Sequence, residues 1–212
     1  MFRFISAMFV LTLLTAFPAR AHFITFKNAD APEKFPLHEI PKKAPMAAFA
    51  DADGQTTHFS DFQGKIVLVN FWSKACKQCT VELPMLDALQ KSFGTMKFKV
   101  VALSVGEETA PQLAHFFMQK KLKNLKPYTD STGQTALAAG IIGLPTTLLL
   151  NEKGEEIGRI RGIAEWTGAP VKAQLRELIR VMKEKEQLQK DSETTQNPSD
   201  LNPETVSQWF KR

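Results

Sequence analysis

The feature that most restricts the fold of this chain is a strongly apolar strand pattern that leads into a pair of cysteines. Residues 66–72 read Ile-Val-Leu-Val-Asn-Phe-Trp, a β-prone run typical of a strand covered on both faces of a parallel sheet. The motif Cys76-Lys77-Gln78-Cys79 follows three residues later. A helix over 76–93 is then predicted by apolar residues spaced three or four apart: Cys79, Leu83, Leu86, Leu89 and Phe93. The sequence therefore predicts a strand–helix unit with the cysteine pair at its junction.

The other predicted elements place this unit in a mixed sheet. They are a small hairpin around Asp53-Gly54, a strand over 98–105, a helix from Pro111 that reaches Leu122, strands over 144–150 and 156–161 that flank a turn at 151–154, and a final helix from Pro170. A strand, helix and strand in succession make parallel neighbours, whereas the late hairpin adds antiparallel strands. We therefore expect an α/β fold, a three-layer α/β/α sandwich with a mixed central sheet and an N-terminal β-hairpin.

The cysteine count restricts the chemistry. Two cysteines in 212 residues cannot form the disulfide framework of a small secreted scaffold or a four-thiolate metal site. The first sulfur is predicted at a helix N-terminus, where free amides, the helix dipole and the flanking Lys74 and Lys77 favour a thiolate. We expect Cys76 to be the exposed nucleophile and Cys79, on the apolar face, to be the buried resolving thiol. No cofactor is expected beyond this redox-active pair.

Two other interpretations of the pair are possible. A purely structural disulfide between residues so close in sequence restricts little chain entropy. Half of a zinc site would need histidines at ligand spacing from the pair, and none of the four histidines stands there: His22, His38, His58 and His115.

The N-terminus has the pattern of a secretory signal peptide over residues 1–21. Arg3 precedes an apolar stretch over 4–17, and Ala19-Arg20-Ala21 fits the small-x-small cleavage rule, which puts the new N-terminus at His22. We expect an exported, periplasmic protein; an uncleaved signal that anchors the chain in the membrane is the alternative. No cysteine stands at the cleavage point, which excludes a lipoprotein.

The charge pattern argues against a nucleic-acid partner. Removing residues 1–21 lowers the formal charge from +5 to +3, and no nucleic-acid motif accompanies the lysines. The densest basic segment, 120–126, has the pattern of a solvated helix face and loop. A docking patch for an acidic partner or an anionic lipid is the alternative interpretation of this segment.

The expected domain organisation has four parts. After the signal peptide come an N-terminal extension over 22–45 and a globular domain over 46–183. Residues 184–212 are polar, and we expect a disordered tail after the exposed end of the last helix. Val206, Trp209 and Phe210 fall at helical spacing behind Asn202-Pro203, which predicts a short terminal helix.

Several motifs of this chain resemble those of exported thioredoxin-like proteins of the TlpA type, and they occur in the same order as in that family. They are the stretch 67–84 around the cysteines, Asp53-Gly54 with Asp61-Phe62-Gln63-Gly64-Lys65, Asp130-Ser131-Thr132-Gly133, and 139–147 with Gly143-Leu144-Pro145-Thr146. The match spans about 46–182. Because the family is thioredoxin-like, the resemblance implies a thioredoxin fold. The family includes the reductases of cytochrome c and cytochrome oxidase maturation.

The resemblance also implies roles for particular residues. It implies a cis Leu144-Pro145 bond beside the cysteines, with the Leu144 backbone pairing with a substrate peptide as a short added strand. Glu82 and Asn70 stand where the exported reductases tune their thiols; the alternatives are a helix-surface acid and a strand-end hydrogen bonder.

The chain departs from the family's pattern next to both cysteines. The family usually has tryptophan before the first cysteine and many members have proline before the second, whereas this chain has Ala75 and Gln78. Trp72 remains as a candidate partner-facing aromatic residue or an ordinary core residue. Because Lys77-Gln78 is unusual, the redox potential cannot be transferred from relatives.

The function implied is an exported thiol–disulfide oxidoreductase that reduces disulfides of partner proteins and draws electrons from a membrane thiol donor. A periplasmic oxidant or isomerase is one alternative, because lysines beside Cys76 make the couple more oxidising. A peroxidase on this fold is another alternative. Its peroxidatic cysteine lies in a Pro-x-x-x-Thr-x-x-Cys motif, and this chain has Val69 and Ser73 in place of the proline and the threonine, which argues against it. A copper-binding assembly factor has three residues between its cysteines, and this chain has two.

Overall fold

The computed structural model describes residues 24–25 and 34–195. The strands are β1 (Ile24–Thr25), β2 (Leu37–Lys43), β3 (Phe49–Ala50), β4 (Thr56–Thr57), β5 (Ile66–Trp72), β6 (Phe98–Val105), β7 (Pro127–Asp130), β8 (Gly143–Leu144), β9 (Thr146–Leu150) and β10 (Glu155–Arg161). The helices are α1 (Lys77–Phe93), α2 (Ala110–Gln119), α3 (Gln134–Ala138) and α4 (Ala169–Thr195), with a short 3-10 helix at Phe59–Phe62.

The central sheet is mixed, as the sequence predicts. Its order is β2-β10-β9-β5-β6-β7-β3-β4. Strands β5, β6 and β7 run parallel, while β9, β10, β2 and the β3–β4 hairpin pair antiparallel with their neighbours. All seven residues of β5 are buried, which explains their nearly continuous apolar sequence.

Packing on the two faces of the sheet makes the predicted three-layer sandwich. Helices α1 and α4 are neighbours on one face, where the Arg176 guanidinium lies over the Phe93 ring. On β6, Phe98 packs against Phe93 of α1, whereas Lys99 lies over Tyr128 on the opposite face. There Tyr128 also contacts Phe62 of the 3-10 helix. Alternation along a single strand thus places side chains on both faces of the sheet.

The structure corrects the boundary expected at residue 46. Strand β2, inside the expected extension over 22–45, pairs with β10 as an edge of the main sheet, and Phe35 just before it is 3% exposed. The sequence of β2 conceals the strand, because its residues are mostly exposed and it contains Pro41. The folded part of the chain therefore includes residues 35–43, ahead of the expected boundary.

Helix α4 continues past residue 183 to Thr195, so an exposed helix end, as the sequence predicts, makes up the first part of the polar tail. Helix-forming Lys, Glu and Gln residues extend it, and the Lys97 ammonium holds Glu186 at 2.7 Å. Helix α2 ends at Gln119 and does not reach Leu122 as predicted. Leu122 is buried in the loop beyond the helix. The signal peptide at 1–21 and the terminal helix near 206–210 lie outside the described residues.

Within the described ranges, no helix is long and apolar enough to cross a membrane.

Candidate active site

The two cysteines form a disulfide at the start of α1. Cys76 is the N-cap of the helix, and its sulfur accepts the amide of Cys79 at 3.2 Å. Cys76 is 8% exposed and Cys79 is fully buried. Cys76 is therefore the more accessible of the two residues, although it is more buried than the exposed nucleophile that the sequence predicts. The amide that points at its sulfur is placed to stabilise a thiolate once the disulfide is reduced.

Two exposed lysines surround this sulfur. Lys77 is the first residue of α1, and the Lys74 ammonium lies 6.0 Å from the ring centre of Phe116. Neither lysine forms an ion pair within the described part of the chain. The rim of the site is therefore electropositive, as its sequence predicts.

Glu82 lies one turn beyond Cys79 and is fully buried. Its Oε1 accepts the amide of Ala164 at 2.8 Å and the indole N–H of Trp166 at 2.7 Å. Burial raises the pKa of this carboxyl to about 7, against the opposing effect of these hydrogen bonds. The interpretation of Glu82 as a helix-surface acid is therefore wrong, and the site holds a carboxyl that can gain or lose a proton near neutral pH.

Asn70 connects this carboxyl to the strand that follows the proline. Its amide nitrogen donates to Oε2 of Glu82 at 3.3 Å and to the hydroxyl of Thr147 at 2.9 Å. Asn70 is fully buried in β5, so these two bonds serve the interior of the site. One amide thus joins α1, β5 and β9.

The Leu144-Pro145 peptide bond is cis, as the resemblance implies. An additional strand accompanies it: β1 pairs with β8 in parallel, with Thr25 opposite Leu144 and Ile24 opposite Gly143. The chain's own N-terminal segment therefore occupies the strand position that the resemblance assigns to a substrate peptide.

Trp72 does not belong to the surface that a partner can touch. It is fully buried and packs against the rings of Phe116 and Phe117. Its place among the predicted substrate-binding residues is therefore corrected: Trp72 is a core residue beneath the site.

Sequence reasoning missed Trp166, Thr147 and β1. Trp166 lies 84 positions after Glu82, so no local spacing connects them. Its one available signal was chemical, because a buried indole N–H needs an acceptor. A two-residue strand such as β1 has no periodicity to detect.

Comparison with known proteins identifies the family of this chain. Residues 40–156 match the family model described as AhpC/TSA family. The chain belongs to the AhpC/TSA family. Among the curated proteins to which the chain is similar, the thiol-disulfide oxidoreductase ResA of Bacillus thuringiensis subsp. konkukian is 33% identical over 124 residues, which cover 58% of this chain and 70% of that protein.

Solved structures show the same fold. The exposed lipoprotein thioredoxin of Streptococcus pneumoniae is 25% identical with a TM-score of 0.51, over 62% of this chain and 96% of that one. A putative thiol:disulfide interchange protein DsbE from Chlorobium tepidum is 24% identical with a TM-score of 0.57, over 66% and 96% respectively. The fold is therefore the thioredoxin fold.

The paired cysteines and the curated relatives define the general chemistry of this AhpC/TSA member. It is a thiol–disulfide oxidoreductase, whose redox centre is the Cys76–Cys79 disulfide. Among residues 24–25 and 34–195, no three His, Cys, Asp or Glu side chains converge as they would around a metal ion.

Proposed function

We propose that this chain is an exported thioredoxin-like protein of the TlpA type that reduces disulfides of partner proteins during cytochrome or oxidase maturation. The observation that carries the proposal is the buried Glu82 carboxyl, one helical turn from a disulfide in which Cys76 is the less buried residue. Such a carboxyl can accept a proton from a buried thiol, which the resolving step of a reductase requires.

The reaction begins with the reduced pair. The Cys76 thiolate attacks one sulfur of the partner disulfide, forms a mixed disulfide and releases the other partner sulfur as a thiolate, which takes a proton from water. The Cys79 thiol then transfers its proton to the Glu82 carboxylate and attacks Cys76. The Cys76–Cys79 disulfide forms and the second partner thiol leaves, so two electrons have passed to the partner.

The charged groups of the site have opposite effects on the direction of electron transfer between this protein and its partner. Lys74, Lys77 and the helix N-terminus stabilise the Cys76 thiolate, which favours the reduced form and makes the couple more oxidising. An ionised Glu82 opposes a second negative charge on the buried Cys79. The resemblance to exported reductases supports reduction of partners, with a membrane thiol donor to restore the dithiol.

Export is the second part of the proposal. The signal-like pattern over 1–21 supports it, as does the likeness to a pneumococcal lipoprotein described as exposed. An oxidising compartment is also where partner proteins carry disulfides that need reduction.

A trapping experiment in the native compartment tests the activity. C79A keeps the nucleophile and removes the resolving thiol, so covalent adducts through Cys76 should accumulate, and mass spectrometry should identify cytochrome c or oxidase partners. C76S/C79A is the matched control and should trap nothing. A potential for the Cys76–Cys79 couple above about −180 mV would overturn the assignment as a reductant, since couples of that kind oxidise their partners.

A further inference from the structure

The loop after α2 forms an apolar groove with a basic rim. Phe117, Leu122, Leu125 and Pro127 line the buried floor of a depression of about 350 Å³. Met118 stands at its edge with 69% of its surface exposed. An exposed methionine beside buried apolar side chains is a surface that can adapt to an incoming apolar group.

Two exposed lysines, Lys121 and Lys123, line this groove, and the exposed Lys120 and Lys126 lie beside it in the sequence. Within the described part of the chain none of them forms an ion pair. Asp87 accepts the amides of Asn124 and Leu125 at 2.7 and 3.0 Å and so anchors the loop that carries these lysines. The basic segment noted in the sequence is therefore a positively charged surface beside an apolar depression.

The groove is continuous with the redox centre. The Lys120 ammonium lies 5.7 Å from the ring centre of Phe116, and the Lys74 ammonium, two residues from Cys76, lies 6.0 Å from the same centre. Phe116 in turn contacts Phe117 in the groove floor. A partner whose disulfide lies at Cys76 therefore has a basic path from Lys74 to the groove within its reach.

We propose that this groove docks the disulfide-bearing protein partner through an apolar side chain flanked by carboxylates. The inference rests on the proposed function and adds a substrate class to it, namely acidic protein segments. The apolar floor suits a leucine-sized side chain, and the lysines suit aspartate or glutamate beside it. The direct path to Cys76 favours a redox partner over a lipid surface, and positive charge along this path raises the rate of encounter with an acidic partner.

Synthetic peptides with one internal disulfide and one leucine test the proposal. Three versions carry glutamates, glutamines or lysines at the same positions, and each is reduced by the full mature chain in its dithiol form. At about 20 mM NaCl we expect the glutamate peptide to react about tenfold faster than the glutamine peptide, and the lysine peptide to react more slowly than both. About 300 mM NaCl should remove most of this difference.

Charge reversal locates the effect. K120E/K121E/K123E should slow reduction of the glutamate peptide about tenfold and leave the glutamine peptide within about twofold. K42E/K43E/K153E makes the same change in charge at the end of the sheet away from the cysteines, where β9 ends at Leu150. This variant should slow the glutamate and glutamine peptides equally. M118S should slow reduction of the glutamate peptide but not of a version with serine in place of the leucine.

Three results would overturn the inference. Equal rates for the glutamate and lysine peptides would do so, as would equal behaviour of the two triple variants. Retention of the wild-type chain, but not of K120E/K121E/K123E, on phosphatidylcholine vesicles containing about 30% phosphatidylglycerol would assign the groove to lipid instead. Failure to reduce even the glutamine peptide is a separate result, because it contradicts the reductase activity itself and the docking role with it.

Discussion

The indole N–H of Trp166 donates to the Glu82 carboxyl at 2.7 Å, and neither side chain has any surface exposed to solvent. Trp166 belongs to the segment between β10 and α4, whereas Glu82 lies in the helix that begins with the cysteines. Since the amide of Ala164 donates to the same oxygen, two donors from one loop fix the orientation of the carboxyl. This loop therefore influences the protonation of a group beside the redox centre.

Trp166→Phe tests that influence. The variant keeps an aromatic ring and removes the donor, which favours the ionised carboxyl, so the pKa of Glu82 should rise further above its ordinary range. The pH at which the resolving step becomes fast should move upward, and the rate at pH 7 should fall about fivefold if the bond contributes about 1.4 kcal/mol, because the ionised fraction of the carboxyl falls by that factor.

The measurement is the rate of release of a mixed disulfide from Cys76 across the pH range. Phe35→Leu provides the control, because Phe35 packs on Trp166 with ring centres 5.5 Å apart and makes no polar contact with Glu82. A W166F profile that keeps the wild-type midpoint would show that the indole only packs.

Glu82→Gln should change how stability depends on pH. The pKa of the carboxyl is about 7 in the folded chain against an ordinary value of 4.5, so the folded state holds more protons than the unfolded state between these values. The free energy of unfolding contributed by this group is therefore complete below about pH 4.5 and is lost as the pH rises through 7. Above pH 7 the neutral variant should be more stable than the wild type by up to about 3 kcal/mol.

Denaturant unfolding of the oxidised chain at pH 4.5 and at pH 8 gives this comparison directly. The expected signature is a difference between E82Q and wild type that grows with pH. Glu152→Gln, in the turn between β9 and β10, is the matched control for the same chemical change outside the site. Parallel curves for E82Q and wild type would contradict the burial-induced rise in the pKa.

The strand–helix unit and the hairpin at 151–154 could be predicted because they depend on local patterns. Seven consecutive β-prone residues indicate a strand buried on both faces, and Gly154, with a φ of 79°, fills the turn position that its sequence suggests. The cysteine pair could be located for the same reason, since its chemistry depends on the helix that starts at Cys76.

The contacts of Glu82 could not be predicted, because they bring together residues from three separate segments: α1, β5 and the loop between β10 and α4. A glutamate in the middle of a helix has the same sequence signature whether it faces solvent or the core. Likewise, β2 has exposed residues and an internal proline, so only its pairing with β10 defines it as a strand. The burial of Glu82 and the pairing of β2 both depend on tertiary packing, which is difficult to predict from a single sequence.

Phe35→Ala tests the corrected start of the domain. Phe35 is 3% exposed, packs on Trp166, and has its backbone amide and carbonyl bonded to the Gln174 side chain at 2.8 and 3.0 Å. Truncating a buried phenylalanine should lower the free energy of unfolding by about 3 kcal/mol. Ile40→Ala is the matched control five residues later, and because Ile40 is 78% exposed its loss should cost less than about 0.5 kcal/mol. Equal effects would return residues 34–45 to the status of an appendage.

The pairing of β1 with β8 predicts that the N-terminal segment competes with substrate. Thr25 stands opposite Leu144, the residue before the cis proline, so a substrate peptide that adds a strand there must first displace β1. I24P/T25P removes two backbone donors from β1 and should weaken its pairing. Reduction of a protein disulfide should become several-fold faster, because a larger fraction of the chain then has this position open.

A small aromatic disulfide reagent serves as the comparison substrate, since it needs no strand and should be reduced by I24P/T25P at the wild-type rate. Asn28→Pro, three residues beyond β1, is the matched variant and should leave both rates unchanged. If the double proline variant reduces the protein disulfide more slowly than wild type, β1 supports substrate binding instead of opposing it. If the expected signal cleavage occurs, β1 begins two residues after the new N-terminus at His22, so the competing strand stays attached to the mature enzyme.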